Sequence, residues 1–535
     1  MTASSLPLST DRPRFADGRL DWLWVLILGL LLRLALFNGA FGSDDVTYFQ
    51  RAWDVARGDW SSAQYNGALR YGFNLPAGAL MYLFGHSVAA ANLWSLLCSL
   101  SELVAVYGLA RSAFGRTAAL YAGLLLACTP LQVAVATRIH ADPIVSAALT
   151  WGFVGLYHGL RLDSPRLLFG AGLAMGFVYW AKELAAVCYF AYLPLLYFFR
   201  RTPSRVLSVL AGVLLMLMLN GLLMIWIAGD PLHPIKVVLG ALQRNFVQGG
   251  DGRDEAWYYL PLLFVDLRHV GLLGWLSLLG LVALWRRPPP QQQAQQPSVR
   301  LFLTLWAAGL LLVLSCFPVS LAPLRFTLKQ SNYLSLLLAP LAVLAGALLA
   351  QWPARRARWV MALAALLGIA LAALQQADYR AFTANSKAVA AFAAAHPQDL
   401  VLGSTNNASL ATMLGRQAGQ PLQVLSWREA RGEPALLSEA LRRSGAVYGV
   451  HDPQTAAWFA GAAAPSQVPA CWQRVETLQP VELGAGNLLA GGLARLAAAV
   501  PGLAPAAPRL AALAQPQAAS LYRVPKDDPW CEAGR

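Results

Sequence analysis

The feature that most constrains this chain is the alternation of long apolar runs with short arginine clusters. The runs are roughly 16–25 residues long, the length an α-helix needs to cross about 30 Å of hydrocarbon at 1.5 Å per residue. Spans fit at 22–38, 87–110, 117–136, 143–160, 167–181, 184–199, 206–228, 260–285, 301–319, 333–350 and 359–376, about eleven in all. Composition agrees: 57% of residues are hydrophobic and 13% charged, where a soluble protein carries about 25% charged residues. The expectation is an α-helical polytopic membrane protein.

The arginines orient it. Arg111/Arg116, Arg161/Arg166, Arg200/Arg201/Arg205, Arg286/Arg287/Arg300 and Arg355/Arg356/Arg358 separate successive spans. With Arg12, Arg14 and Arg19 they all fall on one side if the span count holds, which is the positive-inside pattern. The N-terminus is then cytoplasmic and the tail beyond the last span is outside. The net charge of +14 is therefore topological rather than a nucleic-acid footprint, and no nucleic-acid partner is expected. The first run contains Arg33 and no A-x-A site follows it, so it reads as an uncleaved helix.

The apolar stretch 167–199 would be about 50 Å long as one helix, too long for one crossing. Lys182-Glu183 interrupts it, so two short spans with Lys182 at the outer surface are expected. Residues 39–86 form a long outer loop, whose Val46, Phe49, Trp53 spacing suggests an amphipathic helix on the membrane surface. Residues 229–259 form a second outer loop, and 286–300 is a Pro/Gln-rich inner linker. Beyond 376 the composition changes. Residues 401–404, 410–414, 422–425, 436–441 and 446–450 alternate strand-like with helix-like patterns, so 377–535 reads as a small α/β periplasmic domain following a transmembrane domain at 1–376. The glycines between 484 and 492 read as a flexible or capping segment. Cys98, Cys128, Cys188 and Cys316 lie in apolar runs, and no Cys/His cluster suggests zinc. Cys471 and Cys531 share the outer domain and are expected to form a disulfide.

Candidate chemistry gathers at the outer face. Ser43-Asp44-Asp45 has an ordinary reading, a Ser cap with acids in the first helical turn, and a functional one, carboxylates held at a membrane interface. His140-Ala141-Asp142-Pro143 is equally divided, since Asp at an N-cap before Pro is a common helix start. Lys182, Lys236, Lys329, Arg51, Arg70, Arg138 and Arg325 stand outside against the charge bias. Snorkelling to headgroups explains some of them. Cations opposite carboxylates also suit transfer from a phosphate leaving group: the cations bind phosphate and a carboxylate takes the acceptor's proton.

Asp44-Asp45-Val46-Thr47-Tyr48 resembles the D-E/D-x-x-Y signature of the first outer loop in the GT-C membrane glycosyltransferases, the superfamily of protein O-mannosyltransferases and lipid A aminoarabinose transferases. The similarity continues through Ala56-Arg57-Gly58-Asp59-Trp60, Leu69-Arg70-Tyr71, Pro76 and Leu83-Phe84-Gly85. Thr137-Arg138-Ile139-His140-Ala141-Asp142-Pro143 is similar to the second acidic motif. Lys182 resembles the lysine after the fifth span, and Lys329, Tyr333 and Pro340 resemble a late Lys/Arg-x-x-x-Tyr…Pro segment.

The resemblance implies a GT-C-like fold and an inverting transfer of sugar from a polyprenyl-phosphate donor to a lipid, glycan or protein hydroxyl at the periplasmic face of a bacterial inner membrane. It implies catalytic Asp44, with Asp45 and Asp142 orienting the acceptor or a metal. Lys182, Arg51, Arg70, Arg138 and Lys329 would bind donor phosphate, and Tyr48, Tyr71, His140 and Tyr333 would line the substrate site. No cofactor is implied, and a divalent cation is left open. Tyr71 is followed by Gly72-Phe73-Asn74-Leu75-Pro76 where aminoarabinose transferases carry an acid-Lys-Pro stretch, so sugar and acceptor stay undefined. Three other readings compete: a secondary transporter, which would show internal repeats and midplane charges, a non-catalytic GT-C-like subunit, and a lipid-linked oligosaccharide ligase or polymerase on a related scaffold.

Overall fold

The computed structural model describes residues 20–61, 63–200, 202–247 (backbone alone from 242), 255–286, 298–321, 324–327, 329–455, 468–527 and 529–530. Its first half runs α1 (Asp21–Ala35), α2 (Asp44–Ala56), α3 (Tyr71–Phe84), α4 (Val88–Phe114), α5 (Arg116–Ala127), α6 (Pro130–Ala136), α7 (Asp142–Arg161) and α8 (Pro165–Ala181). A 3-10 segment, Glu183–Phe199, leads to α9 (Arg205–Ala228) and α10 (His233–Val247). Then follow α11 (Tyr259–Phe264), α12 (Leu267–Val270), α13 (Leu273–Arg286) and α14 (Val299–Cys316). The hairpin strands β1 (Pro318–Leu321) and β2 (Leu324–Phe326) precede a 3-10 turn at Ser331–Leu337, α15 (Leu338–Ala350) and α16 (Ala354–Ala395).

Among the described residues, five stretches are long and apolar enough to cross a membrane: α4, α9, α14, Ser331–Ala350 and α16. Helices α5 and α6 make a sixth if taken as one span, bent by 59°. Pro130 opens α6, and its missing N–H interrupts the helical ladder there. The remaining expected spans coincide with helical elements that are shorter, less apolar or broken. The span expected at 260–285 is cut twice: the Asp266 carboxylate caps α12, and Gly271 turns the chain at φ +57°. The split at Lys182 is present, since α8 ends at Ala181 and Lys182 is extended. Small residues bring helices close. A methyl on Gly172 of α8 or Gly212 of α9 would overlap the other helix's backbone, the close approach that membrane helices use in place of a hydrophobic drive.

Two expectations change. Helix α2 does not simply lie on a surface: Tyr48, Phe49 and Ala52 are buried, and Gly78 of α3 lets the Ala52 carbonyl approach. Residue 377 falls inside α16, whose 42 residues run about 60 Å. Alanine continues the helix at little cost, so one element carries the chain from bundle to C-terminal part.

That part comprises β3 (Leu400–Gly403), α17 (Thr405–Gln417), β4 (Val424–Ser426), α18 (Trp427–Gly432), α19 (Pro434–Arg443), β5 (Val447–His451), β6 (Gln473–Leu478), α20 (Ala485–Ala499), α21 (Ala507–Ala514) and β7 (Ala519–Arg523). The sheet order is β4-β3-β5-β7-β6. Strand β3 is parallel to β4 and β5, and β7 is antiparallel to β5 and β6. Alternate residues feed opposite faces, as a strand's period of two requires: Val401 joins Val424 and Leu521, while Leu400 and Leu402 join Trp427 and Val447. Of the two readings of the Gly-rich segment, capping is the one present. Gly484 is the N-cap of α20 and its N–H donates to Asn487 at 2.8 Å, and Gly486 sits against the Ala373 carbonyl of α16 with no room for a methyl. Cys471 is disulfide-bonded; Cys531 lies outside the described residues.

Candidate active site

The adjacent carboxylates Asp44 and Asp45 open α2 and face opposite ways. Asp45 is 5% exposed. Its oxygens accept the backbone N–H groups of Phe41 (2.6 Å), Gly42 (3.2 Å) and Ser43 (2.7 Å). Ser43 makes no side-chain cap. The acid two residues later does that work for the preceding turn, so both Asp45 oxygens are engaged by backbone N–H groups. Asp44 is exposed and accepts the Tyr65 hydroxyl at 2.5 Å. Burial and the Asp44 charge raise the Tyr65 pKa, so this hydroxyl stays protonated and donates.

The turn before Asp44 is held by the C-terminal part. Asn406 of α17 donates to the Phe41 carbonyl at 2.6 Å and accepts Ser386 of α16 at 2.7 Å. Phe41 stacks on Phe382 and meets the Tyr379 ring at a tilt, and Arg380 donates to the Phe37 carbonyl at 2.7 Å. Gly42, at φ +86°, packs against Asn406 and Leu410; a side chain there would be strained and would clash.

Asp142 opens α7 without capping it. Lys182 donates to it at 2.7 Å, Asn332 donates to its other oxygen, and His140 Nδ1 lies 3.2 Å away. The Lys182 ammonium also stands over the Tyr333 ring, 4.5 Å from its centre. Arg70 pairs with Glu183 at 3.2 Å and donates to the Tyr48 hydroxyl. Tyr48 is pushed up to about 12 by burial against the pull of Arg70. The charges of Lys182 and Asp44 also act on Tyr48, and those of Asp142, Lys182 and Asp44 on His140. Asp44, Tyr48, Arg70, His140, Asp142, Lys182 and Tyr333 thus share one site. A cavity of about 30 Å³ beside it is lined by Asp142, Lys182, Thr327 and Tyr333 with Leu184, Val187, Leu314 and Leu336.

Four candidates have other partners. Arg51 donates to the Tyr71 hydroxyl at 2.8 Å and to the Ser61 carbonyl, bracing the loop between α2 and α3. Tyr71 is fully buried in that role. Arg138 stacks on Tyr379, and Lys329 is buried and donates to the Thr327 carbonyl at 2.7 Å. Conversely, Tyr65, Glu183 and Asn332 enter the site unannounced. Glu183 was visible as half of the interruption at 182–183, and Asn332 as the neighbour of Tyr333; nothing local marks Tyr65 or Asn406. Among the described residues no group of three or more His, Cys, Asp or Glu is placed to hold a metal.

The chain is thus a membrane-type helical bundle whose charged cluster meets an appended α/β part. The family profile of dolichyl-phosphate-mannose-protein mannosyltransferase matches residues 73–226. The chain is 26% identical over 311 residues to an undecaprenyl phosphate-alpha-4-amino-4-deoxy-L-arabinose arabinosyl transferase of Yersinia enterocolitica, a match covering 55% of this chain and 52% of that protein. It therefore spans about half the length of that curated relative. ArnT from Cupriavidus metallidurans has the same fold, with a TM-score of 0.58 and 17% identity over 86% of this chain and 97% of that one. Its structure bound to undecaprenyl phosphate matches with a TM-score of 0.58 and 17% identity, over 82% and 95% of the two chains. These findings agree on the GT-C glycosyltransferase superfamily.

Proposed function

We propose that this chain is an inverting glycosyltransferase moving a sugar from a polyprenyl-phosphate carrier to a hydroxyl acceptor at the periplasmic face of a bacterial inner membrane. The observation that carries this reading is the chain of contacts at one end of α2: exposed Asp44 lies one helical turn from Tyr48, Tyr48 accepts from buried Arg70, and Arg70 pairs with Glu183, the chain neighbour of buried Lys182. One displacement accounts for all three charges. The acceptor oxygen bonds to the anomeric carbon while the bond from that carbon to the phosphate oxygen breaks. The electron pair leaves with the phosphate, and the acceptor's proton passes to Asp44. Lys182 and Arg70 receive the charge that grows on the phosphate. Asp142 and Glu183 hold those cations in position, and Tyr333 with the apolar cavity wall faces the first carbons of the lipid.

The topology proposed with it has eleven crossings, a cytoplasmic N-terminus, and a periplasmic C-terminal domain from 377 that begins within α16. The parity that gathers the arginine clusters on one side supports it. Alkaline phosphatase fused at residue 385 should be active, and an inactive fusion overturns the orientation. For the chemistry, purified protein in lipid is given undecaprenyl-phosphate sugars and a hydroxyl acceptor, and release of undecaprenyl phosphate is followed. Asp44→Asn should abolish release while leaving expression and membrane insertion intact. Near-normal release by that variant would make Asp44 a helix-start residue and nothing more.

A further inference from the structure

We propose that residues 485–514, helices α20 and α21 with their connecting turn, form a lipid-contacting surface that rests the C-terminal part on the outer leaflet. The proposal builds on α16 crossing the membrane.

Depth comes from α16. Its Ala373 and Ala377 receive the start of α20: Gly486 lies on the Ala373 carbonyl, Asn487 donates to the Ala377 carbonyl at 3.1 Å, and the Gly486 N–H donates to Gln376 at 2.8 Å. From Arg358, the last of the arginine cluster that opens α16, Ala373 is about 22 Å along the helix and Ala377 about 28 Å. With a hydrocarbon layer about 30 Å thick, α20 starts about 2–8 Å inside its outer boundary. That boundary is where an amphipathic helix lies.

The surface chemistry matches. Helix α20 turns Gly486, Asn487, Ala490, Ala494 and Ala497 inward. Outward it presents Leu488 at 80% exposure and Leu496 at 57%, and the turn adds Leu503 at 51%. Over 485–514 the charged residues are Arg495 and Arg509, with no acid. Leucines this exposed on a domain in water would be a costly patch. Against lipid they are buried, and two arginines reach anionic headgroups. Helix α16 itself presents an apolar face that must meet lipid where it crosses, since Leu363 and Leu366 are 60% and 68% exposed. The consequence reaches the active site, because Gln376 also donates to the Phe37 carbonyl at 3.1 Å, on the segment leading to Asp44.

The test uses full-length protein in nanodiscs of phosphatidylethanolamine and phosphatidylglycerol. Spin labels go on Leu488→Cys and Leu496→Cys, on Leu366→Cys as the lipid standard, and on Glu476→Cys, an exposed site on β6, as the water standard. Unsubstituted protein supplies the background of native cysteines. Collision with oxygen, which enters lipid, is compared with collision with a water-soluble nickel chelate. Labels at 488 and 496 should resemble 366, with an oxygen-to-nickel ratio several-fold above that at 476. A ratio like that at 476 overturns the proposal, and so does low collision with both reagents, the mark of a covering protein or second copy. A water-like label at 366 overturns it together with the span assigned to α16, which separates that failure from a fault in the hairpin alone.

Discussion

Asp44 and Asp45 are neighbours of one chemical type, and their substitution by Asn should give opposite phenotypes. The Asp45 carboxylate accepts three backbone N–H groups. An unsatisfied buried donor costs about 1–3 kcal/mol. In Asp45→Asn the amide keeps one acceptor oxygen and points an NH₂ group at the remaining donors. Ser43 is exposed, so water takes over part of the loss, and about 2–3 kcal/mol of stability should disappear. The 41–43 turn loosens, so transfer falls only modestly, and the loss should grow with temperature. Asp44→Asn removes no such bonds, because Asn still accepts the Tyr65 hydroxyl. Its unfolding temperature should match the parent while turnover falls about 10²–10⁴-fold, the usual weight of a general base. The assay is carrier release in nanodiscs at two temperatures, alongside thermal unfolding of the same preparations. An Asp45→Asn protein of parental stability but no activity, beside an active Asp44→Asn protein, would reverse the assignment and refute the reasoning.

Lys182→Ala should raise the apparent donor requirement and slow turnover. It also leaves Asp142 without its cation, so Asp142→Asn should partly rescue the stability of the double variant; independent, additive losses in unfolding temperature would contradict the pairing. Asn406→Leu should lower turnover more than it changes donor affinity, since it frees the Phe41 turn without touching the cations, and a pure affinity defect would count against that. Burial lowers the His140 pKa from 6.5 to about 4. The unfolded chain then binds more protons between these values, so stability is complete above pH 6.5 and falls on acidification. The loss at pH 5 is about 2 kcal/mol, and His140→Gln should flatten the pH 5 to pH 7 difference in thermal unfolding; equal slopes would exclude His140 as its source. Cys471 should resist alkylation in denatured, non-reduced protein and react after reduction, whereas reaction before reduction would contradict its disulfide.

How much was legible in advance depends on whether the cause is local. Apolar length, arginine placement and the interruption at Lys182-Glu183 act within one helix's reach. The helical stretches, the break after Ala181 and the α/β alternation beyond residue 400 could therefore be read directly. Asp44, Asp142, Lys182 and Arg70 could be named as candidates, because charge at a membrane boundary needs a reason wherever the chain folds. The continuation of α16 past residue 376 was hidden, since an alanine-rich stretch has no stop signal and only the docking of α17 and α20 gives its C-terminal half a partner.

What the sequence determined by itself is a bundle of apolar helices with its carboxylates and cations gathered toward one end. Tertiary structure decided which of them meet. Asp45 spends its charge on three amides, while Asp44 stays exposed. Arg51 braces the loop between α2 and α3 and Arg138 stacks on Tyr379 of α16, while Arg70 comes to Tyr48 and Lys182 to Asp142. Glu183 and Asn332 complete the pairs from 113 and 190 residues away. The physical reason is that a carboxylate or guanidinium carries the same charge in either role. Its partner is chosen by packing between elements distant in the chain, and no local pattern encodes that distance.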